Sequence, residues 1–187
     1  DMRLLYWNIQ NGMWSDQSNG YDNFVAWVKG YDPDVCVWCE AQSIYKSGTA
    51  ERMDSVDRYL TANWGELAAR YGHKYWYVGG HRDNFPQVIT SKYPIENVER
   101  IVGEEPDSVV THGAGWARIV KNGRTVNIVT LHLWPQALDL VHERRNHFQL
   151  TLAVRSEKLS TNLIAIAFLH FQNNFLPIVT LYLQQHN

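Results

Sequence analysis

Apolar positions along this chain change period several times, and each change marks an element. Residues 3–9 (RLLYWNI) are a short apolar run that reads as a buried strand. Asn11-Gly12 and Asn19-Gly20 are turn dipeptides. Over 21–31, Phe24, Val25, Trp27, Val28 and Tyr31 recur at helical spacing, and Asp32-Pro33 stops that helix. Residues 34–39 are β-branched and aromatic enough for a second strand. From 52 to 71, Val56, Tyr59, Leu60, Trp64, Leu67, Ala68 and Tyr71 trace one helical face. Gly65 inside that face costs about 1 kcal/mol against Ala. Strands are then expected at 74–79, 87–91, 95–102, 115–120 and 125–131, with a tight hairpin at Asn122-Gly123. Strand and helix alternate and hairpins follow, which predicts an α/β domain built on mixed sheets.

Composition narrows the class. The 187 residues suffice for one domain with a core. A hydrophobic content of 45% excludes extensive disorder. The net charge of -2 and pI near 6.5 do not favour a broad nucleic-acid surface, although a locally basic groove is compatible with them. No run of 18 apolar residues exists, so no membrane span is expected. The chain starts at Asp1 without a leader ahead of the first strand, so export after leader removal and cytoplasmic residence both stay open.

The tail is unusual. All 17 basic and 19 acidic residues lie within 1–158, and residues 159–187 contain no Gly either. The apolar runs Leu163–Leu169 and Leu176–Leu183 have no charged face to turn toward water. Two readings stand: a buried C-terminal pair of strands or helices, or a frameshift or truncation near Arg155. The expected organisation is therefore a domain over 1–155 and an atypical tail over 156–187.

Three residues are candidates for chemistry. Glu40 ends the second strand, and functional groups of α/β proteins gather at such carboxyl edges. A carboxylate there suits a hard, oxygen-seeking cation, or it is a solvated charge beginning a loop. Asn8 ends the first strand; its amide can orient a metal-bound water or donate to a phosphate, or it can start the following turn. His132 ends a strong strand and can donate to charge developing on phosphoryl oxygens, or it is a satisfied core histidine. Arg82 and His112 are weaker candidates.

Several patterns are set aside. Cys36 and Cys39 spell C-x-x-C, but positions three apart on a strand face opposite ways, so they read as core residues. His142 and His147 are five apart and leave one helical face. Asp16–Gly20 begins like a calcium loop, yet Trp27 occupies the place of the bidentate Glu. Of Trp7, Trp14, Trp38, Trp64, Trp76, Trp116 and Trp134, most read as buried; Trp14 and Trp134, just past strand ends, are candidates for lining a pocket.

The motifs Tyr6-Trp7-Asn8-Ile9-Gln10-Asn11-Gly12, Pro33–Glu40, Gln87–Ile95 and Val129–Leu133, in that order, resemble the first half of the endonuclease/exonuclease/phosphatase superfamily, the deoxyribonuclease I-like phosphodiesterases. The resemblance implies part of a four-layer α/β sandwich. It also implies Glu40 and Asn8 as metal contacts for Mg²⁺ or Mn²⁺, Asn8 and His132 as catalytic contacts, and a phosphate-ester substrate. The family's Gly-Asp-x-Asn and terminal Ser-Asp-His motifs do not occur, and Asp139 is the last Asp. Members of a catalytic unit removed together cost on the order of 10⁴ to 10⁶ in rate. An impaired hydrolase is therefore expected; the alternative is a non-catalytic phosphate- or carbohydrate-binding module. Half a sandwich exposes an apolar face, which predicts self-association.

Overall fold

The computed structural model describes residues 2–41, 64–79, 87–101, 114–132, 163–169 and 178–184. The chain falls into two compact units, Asp1–Val78 with Arg82–Ile95, and Gly79–His81 with Glu96–Asn187.

The first unit begins with strand β1 (Leu4–Asn8) and a single helical turn α1 (Gln10–Met13). A 3₁₀ turn (Trp14–Asn19) and helix α2 (Asp22–Tyr31) lead to strand β2 (Val35–Cys39). Helix α3 (Trp64–Arg70), β3 (Tyr75–Gly79) and β4 (Gln87–Ser91) follow. The sheet order is β1-β2-β4-β3. β1 and β2 run parallel, with Asn8 level with Cys39, while β4 runs antiparallel to β2. A parallel pair needs a crossover, and the α1–α2 segment provides it. β2 is buried along its whole length, as an inner strand should be.

Helix α2 starts where the buried Asp16 carboxylate accepts the Phe24 backbone N–H at 2.7 Å and the amides of Asn19 and Asn23. Asp16 thus works as a helix cap supplied from outside the helix, which explains the calcium-like pattern around it. The helix ends at Asp32 in the left-handed region (φ 47°), with its N–H bonded to the Val28 and Lys29 carbonyls. Phe24, Val25 and Val28 pack with Cys36, Trp38, Trp64, Leu67, Ala68, Tyr71 and Val88 into one core. Trp38 and Trp64 stack at 6.3 Å, and the Phe24 ring meets Trp38 edge-on at 5.1 Å.

Two expectations of burial fail here. Trp7 is 37% exposed, and it contacts Trp27 at 4.6 Å, which in turn contacts Tyr31 at 4.6 Å. β1 lies at one end of the sheet order and its Trp7 ring meets Trp27 of α2, so these three rings form a surface ladder. Trp76 is 44% exposed because β3 ends the sheet on the other side. Its indole nitrogen would lie 2.6 Å from a Cβ built on Gly65, so the helix-weakening Gly has a packing reason. Of the helix expected over 52–71, α3 covers 64–70; residues 52–63 lie outside the described residues.

The second unit is a five-stranded sheet. β5 (Ile95–Ile101), β6 (Ala114–Lys121), β7 (Arg124–His132), β8 (Leu163–Leu169) and β9 (Ile178–Gln184) lie in that order. Asn122 and Gly123, at φ 53° and 76°, close the β6–β7 hairpin as a primed turn requires. β8 runs parallel to β7, with His132 level with Phe168, and β9 is antiparallel to β8. The two apolar runs of the uncharged tail therefore continue this sheet as strands. No helix among the described residues is long and apolar enough to cross a membrane.

Candidate functional site

Parallel neighbours end at the same edge of a sheet, so the β1–β2 pairing brings together residues 32 positions apart in sequence. Asn8 Nδ2 donates to Glu40 Oε1 at 2.9 Å. Both side chains are half-buried. The backbone reinforces the pair: Ile9 N–H donates to the Cys39 carbonyl at 3.0 Å and Gly12 N–H to the Glu40 carbonyl at 2.6 Å. Glu40 itself sits at φ 52°, in the left-handed region that a non-glycine residue rarely adopts. Gly12 and Met13 are left-handed as well, at φ 65° and 55°.

Beside this pair, the Tyr6 hydroxyl and the Cys39 thiol are 3.0 Å apart. Burial pushes the thiol up to about 12, with the Tyr6 hydrogen bond opposing and the Glu40 charge adding to the rise. Burial, and then the neighbouring Cys39, raise the Tyr6 hydroxyl as well. Both groups stay protonated near neutral pH, so neither acts there as a nucleophile. Cys36 and Cys39 are buried and not joined in a disulfide, as expected of core residues.

His132 is buried at the end of β7 in the second unit. Trp14 opens the 3₁₀ turn. Arg82, His112 and Trp134 lie outside the described residues. Among the described residues, no three His, Cys, Asp or Glu side chains converge as a metal-binding group. The Asn8–Glu40 pair does have the donor chemistry of a hard-cation site: an amide and a carboxylate, oxygen ligands both. A cation such as Mg²⁺, which keeps most of its waters, needs only one or two carboxylates from the protein.

A second polar cluster had no motif to announce it. Trp38 Nε1 donates to the Tyr71 hydroxyl at 3.2 Å, which lies 3.0 Å from Thr90 Oγ1; Thr90 Oγ1 lies 2.9 Å from His73 Nδ1. His73 Nε2 is 2.9 Å from the Pro33 carbonyl. A carbonyl only accepts, so Nε2 carries the proton, and the neutral ring accepts from Thr90 at Nδ1. Burial lowers the His73 pKa and raises that of Tyr71, so both remain neutral. This chain of hydrogen bonds joins β2, β4 and the end of α3; its signal in the sequence was a lone His after a helix, which periodicity cannot read.

No protein-family model matches the sequence, and no curated protein does. Solved structures do match. An endonuclease/exonuclease/phosphatase family protein from Leptotrichia buccalis superposes with a TM-score of 0.62 at 14% identity, over 90% of this chain and 66% of its own. ANGEL2, a 2',3'-cyclic phosphatase solved with adenosine-2',3'-vanadate, gives a TM-score of 0.62 at 14% identity, over 89% of this chain and 52% of its own. The 3' phosphatase NExo from Neisseria, solved with a product DNA hairpin, gives 0.58 at 17% identity, over 90% and 57%. This chain thus spans between about half and two thirds of the length of these structures. Identities this low speak to architecture alone, and on architecture they agree with the four sequence motifs. The chain has the deoxyribonuclease I-like fold that these structures share.

Proposed function

We propose that this chain carries the cation-binding part of a metal-dependent phosphoester hydrolase. The observation that carries the reading is the Asn8–Glu40 pair, joined at 2.9 Å at the common end of two parallel strands. Glu40 and Asn8 would hold one Mg²⁺ or Mn²⁺. When bound, that cation neutralises phosphate charge and polarises the ester. Asn8 fixes the Glu40 carboxylate through its N–H. His132 is the proposed donor to a phosphoryl oxygen. No Asp-x-Asn follows His132, so the chain offers no counterpart to the family's water-activating base. Turnover is proposed to be low, and the substrate is a phosphate ester of unassigned type. Two neighbours named for phosphatase activity support this class. The proposal includes self-association.

The test is Mn²⁺ binding by electron paramagnetic resonance, run with hydrolysis of bis(p-nitrophenyl) phosphate. Stoichiometric Mn²⁺ binding that Glu40→Gln abolishes, with turnover at least a thousandfold below an intact family enzyme, is expected. Absence of Mn²⁺ binding, or binding that Glu40→Gln leaves intact, refutes the reading.

The exposed Trp7–Trp27–Tyr31 ladder favours a second reading, a non-catalytic module that stacks sugar rings. Quenching of tryptophan fluorescence by an oligosaccharide without added metal, lost in Trp27→Ala, would support it over the first.

A further inference from the structure

A strand that simply ended at Cys39 would leave the next residue free to take any allowed conformation. Glu40 instead turns into the left-handed region, at φ 52°, where the Cβ of an L-residue crowds its own carbonyl. Such a conformation persists only where the surroundings over-determine it. Three hydrogen bonds do so here. Ile9 N–H reaches the Cys39 carbonyl at 3.0 Å, Gly12 N–H the Glu40 carbonyl at 2.6 Å, and Asn8 Nδ2 the Glu40 carboxylate at 2.9 Å. Glu40 is therefore gripped at both ends, by its carbonyl and by its side chain, from a single segment of the chain.

The carbonyl grip depends on Gly12. The turn after β1 closes on itself without Glu40, because Met13 N–H already donates to the Ile9 carbonyl at 2.6 Å. The Gly12 N–H is directed across to the residue that follows β2. It is directed there because Gly12 is buried and adopts φ 65°, a conformation glycine takes at no steric cost.

We propose that Gly12 is a positioning residue for Glu40. Its left-handed conformation delivers an N–H to the Glu40 carbonyl, locks that residue in its strained rotation and so holds the carboxylate against Asn8. The inference rests on the reading of Glu40 as a cation ligand. Loss of the grip lets Glu40 relax to an ordinary strand-end conformation, in which the carboxylate leaves Asn8.

The experiment compares Mn²⁺ affinity, by electron paramagnetic resonance, in the full chain and four variants. Glu40→Gln tests the ligand. Gly12→Ala puts a Cβ into the left-handed turn, and Gly12→Asn is the conservative rescue, since Asn tolerates that region better than other side chains. Asp16→Ala is a destabilised control in the same unit that leaves the Gly12–Glu40 link alone. Urea melts identify conditions in which every variant is folded. Gly12→Ala is expected to bind Mn²⁺ at least fivefold more weakly, Gly12→Asn within about twofold of the parent, and Asp16→Ala as the parent does. Unchanged affinity in Gly12→Ala, while Glu40→Gln abolishes binding, overturns the positioning role and leaves the ligand reading standing. An equal loss in Asp16→Ala also overturns it, because general destabilisation then accounts for the effect. Indifference to Glu40→Gln overturns both.

Discussion

Above the carboxylate range, acid should destabilise the first unit through His73. Its side chain is fully buried between the Pro33 carbonyl and Thr90. The folded environment depresses its pKa, chiefly by burial, so the folded ring resists protonation where an unfolded one accepts it. As pH falls through about 6.5, the unfolded state takes up a proton that the folded state refuses. Stability is complete above that pH, is lost as pH falls below it, and levels off only under the lowered folded-state value. While the folded ring stays neutral, the slope approaches ~1.4 kcal/mol per pH unit, about 2 kcal/mol between pH 7.5 and 5.0. The geometry explains the resistance. A proton on Nδ1 would face the Thr90 hydroxyl hydrogen, and reversing that hydroxyl would turn its hydrogen on the Tyr71 O–H, which it now accepts. The assay is urea unfolding followed by circular dichroism from pH 7.5 to 5.0, in the parent and in His73→Gln. Gln can donate to Pro33 and accept from Thr90, but it does not titrate. The parent should lose up to about 2 kcal/mol more than the variant over this range. Parallel pH dependences, or a His73 ring whose NMR shifts titrate at or above the ordinary histidine value, would refute the reasoning.

Two further outcomes follow from backbone geometry. Gly65→Ala should destabilise the chain, although Ala favours helices by about 1 kcal/mol, because its Cβ would lie 2.6 Å from Trp76 Nε1; in a Trp76→Ala background the same change should stabilise, and a double-mutant cycle of urea midpoints measures the difference. Glu40→Gly should raise thermal stability by about 1 kcal/mol by relieving the left-handed strain while Mn²⁺ binding disappears, and a destabilised Glu40→Gly would contradict the claim that strain is held there.

Much of the architecture was legible in the sequence because strand and helix periods are local. The five strands expected between 74 and 131 fall within a residue of β3 to β7, since each is a β-branched or aromatic run bounded by turn residues. Helix α2 ends where Asp32-Pro33 said it would. Buried Trp38, Trp64 and Trp116 followed from their apolar surroundings, whereas Trp7 and Trp76 did not. An apolar run reports the burial expected of a strand, but it cannot say that the strand lies at an edge of its sheet. The candidate site divides in the same way. Asn8 and Glu40 could be picked out singly as strand ends, and a family resemblance could link them. Their contact depends on β1 and β2 being parallel and in a register that sets Asn8 beside Cys39. That register is a pairing of distant segments, which no local pattern encodes. The His73 chain is the extreme case: its four side chains come from three separate segments, and only packing them into one unit makes each the partner of the next. Most elements up to residue 132 could be read locally, because backbone propensity and apolar period act over a few residues, whereas the uncharged tail runs became strands only through their pairing with β7 and with each other. The tertiary structure alone decided which polar groups meet, because hydrogen bonds between distant residues exist only once the sheet has brought them together.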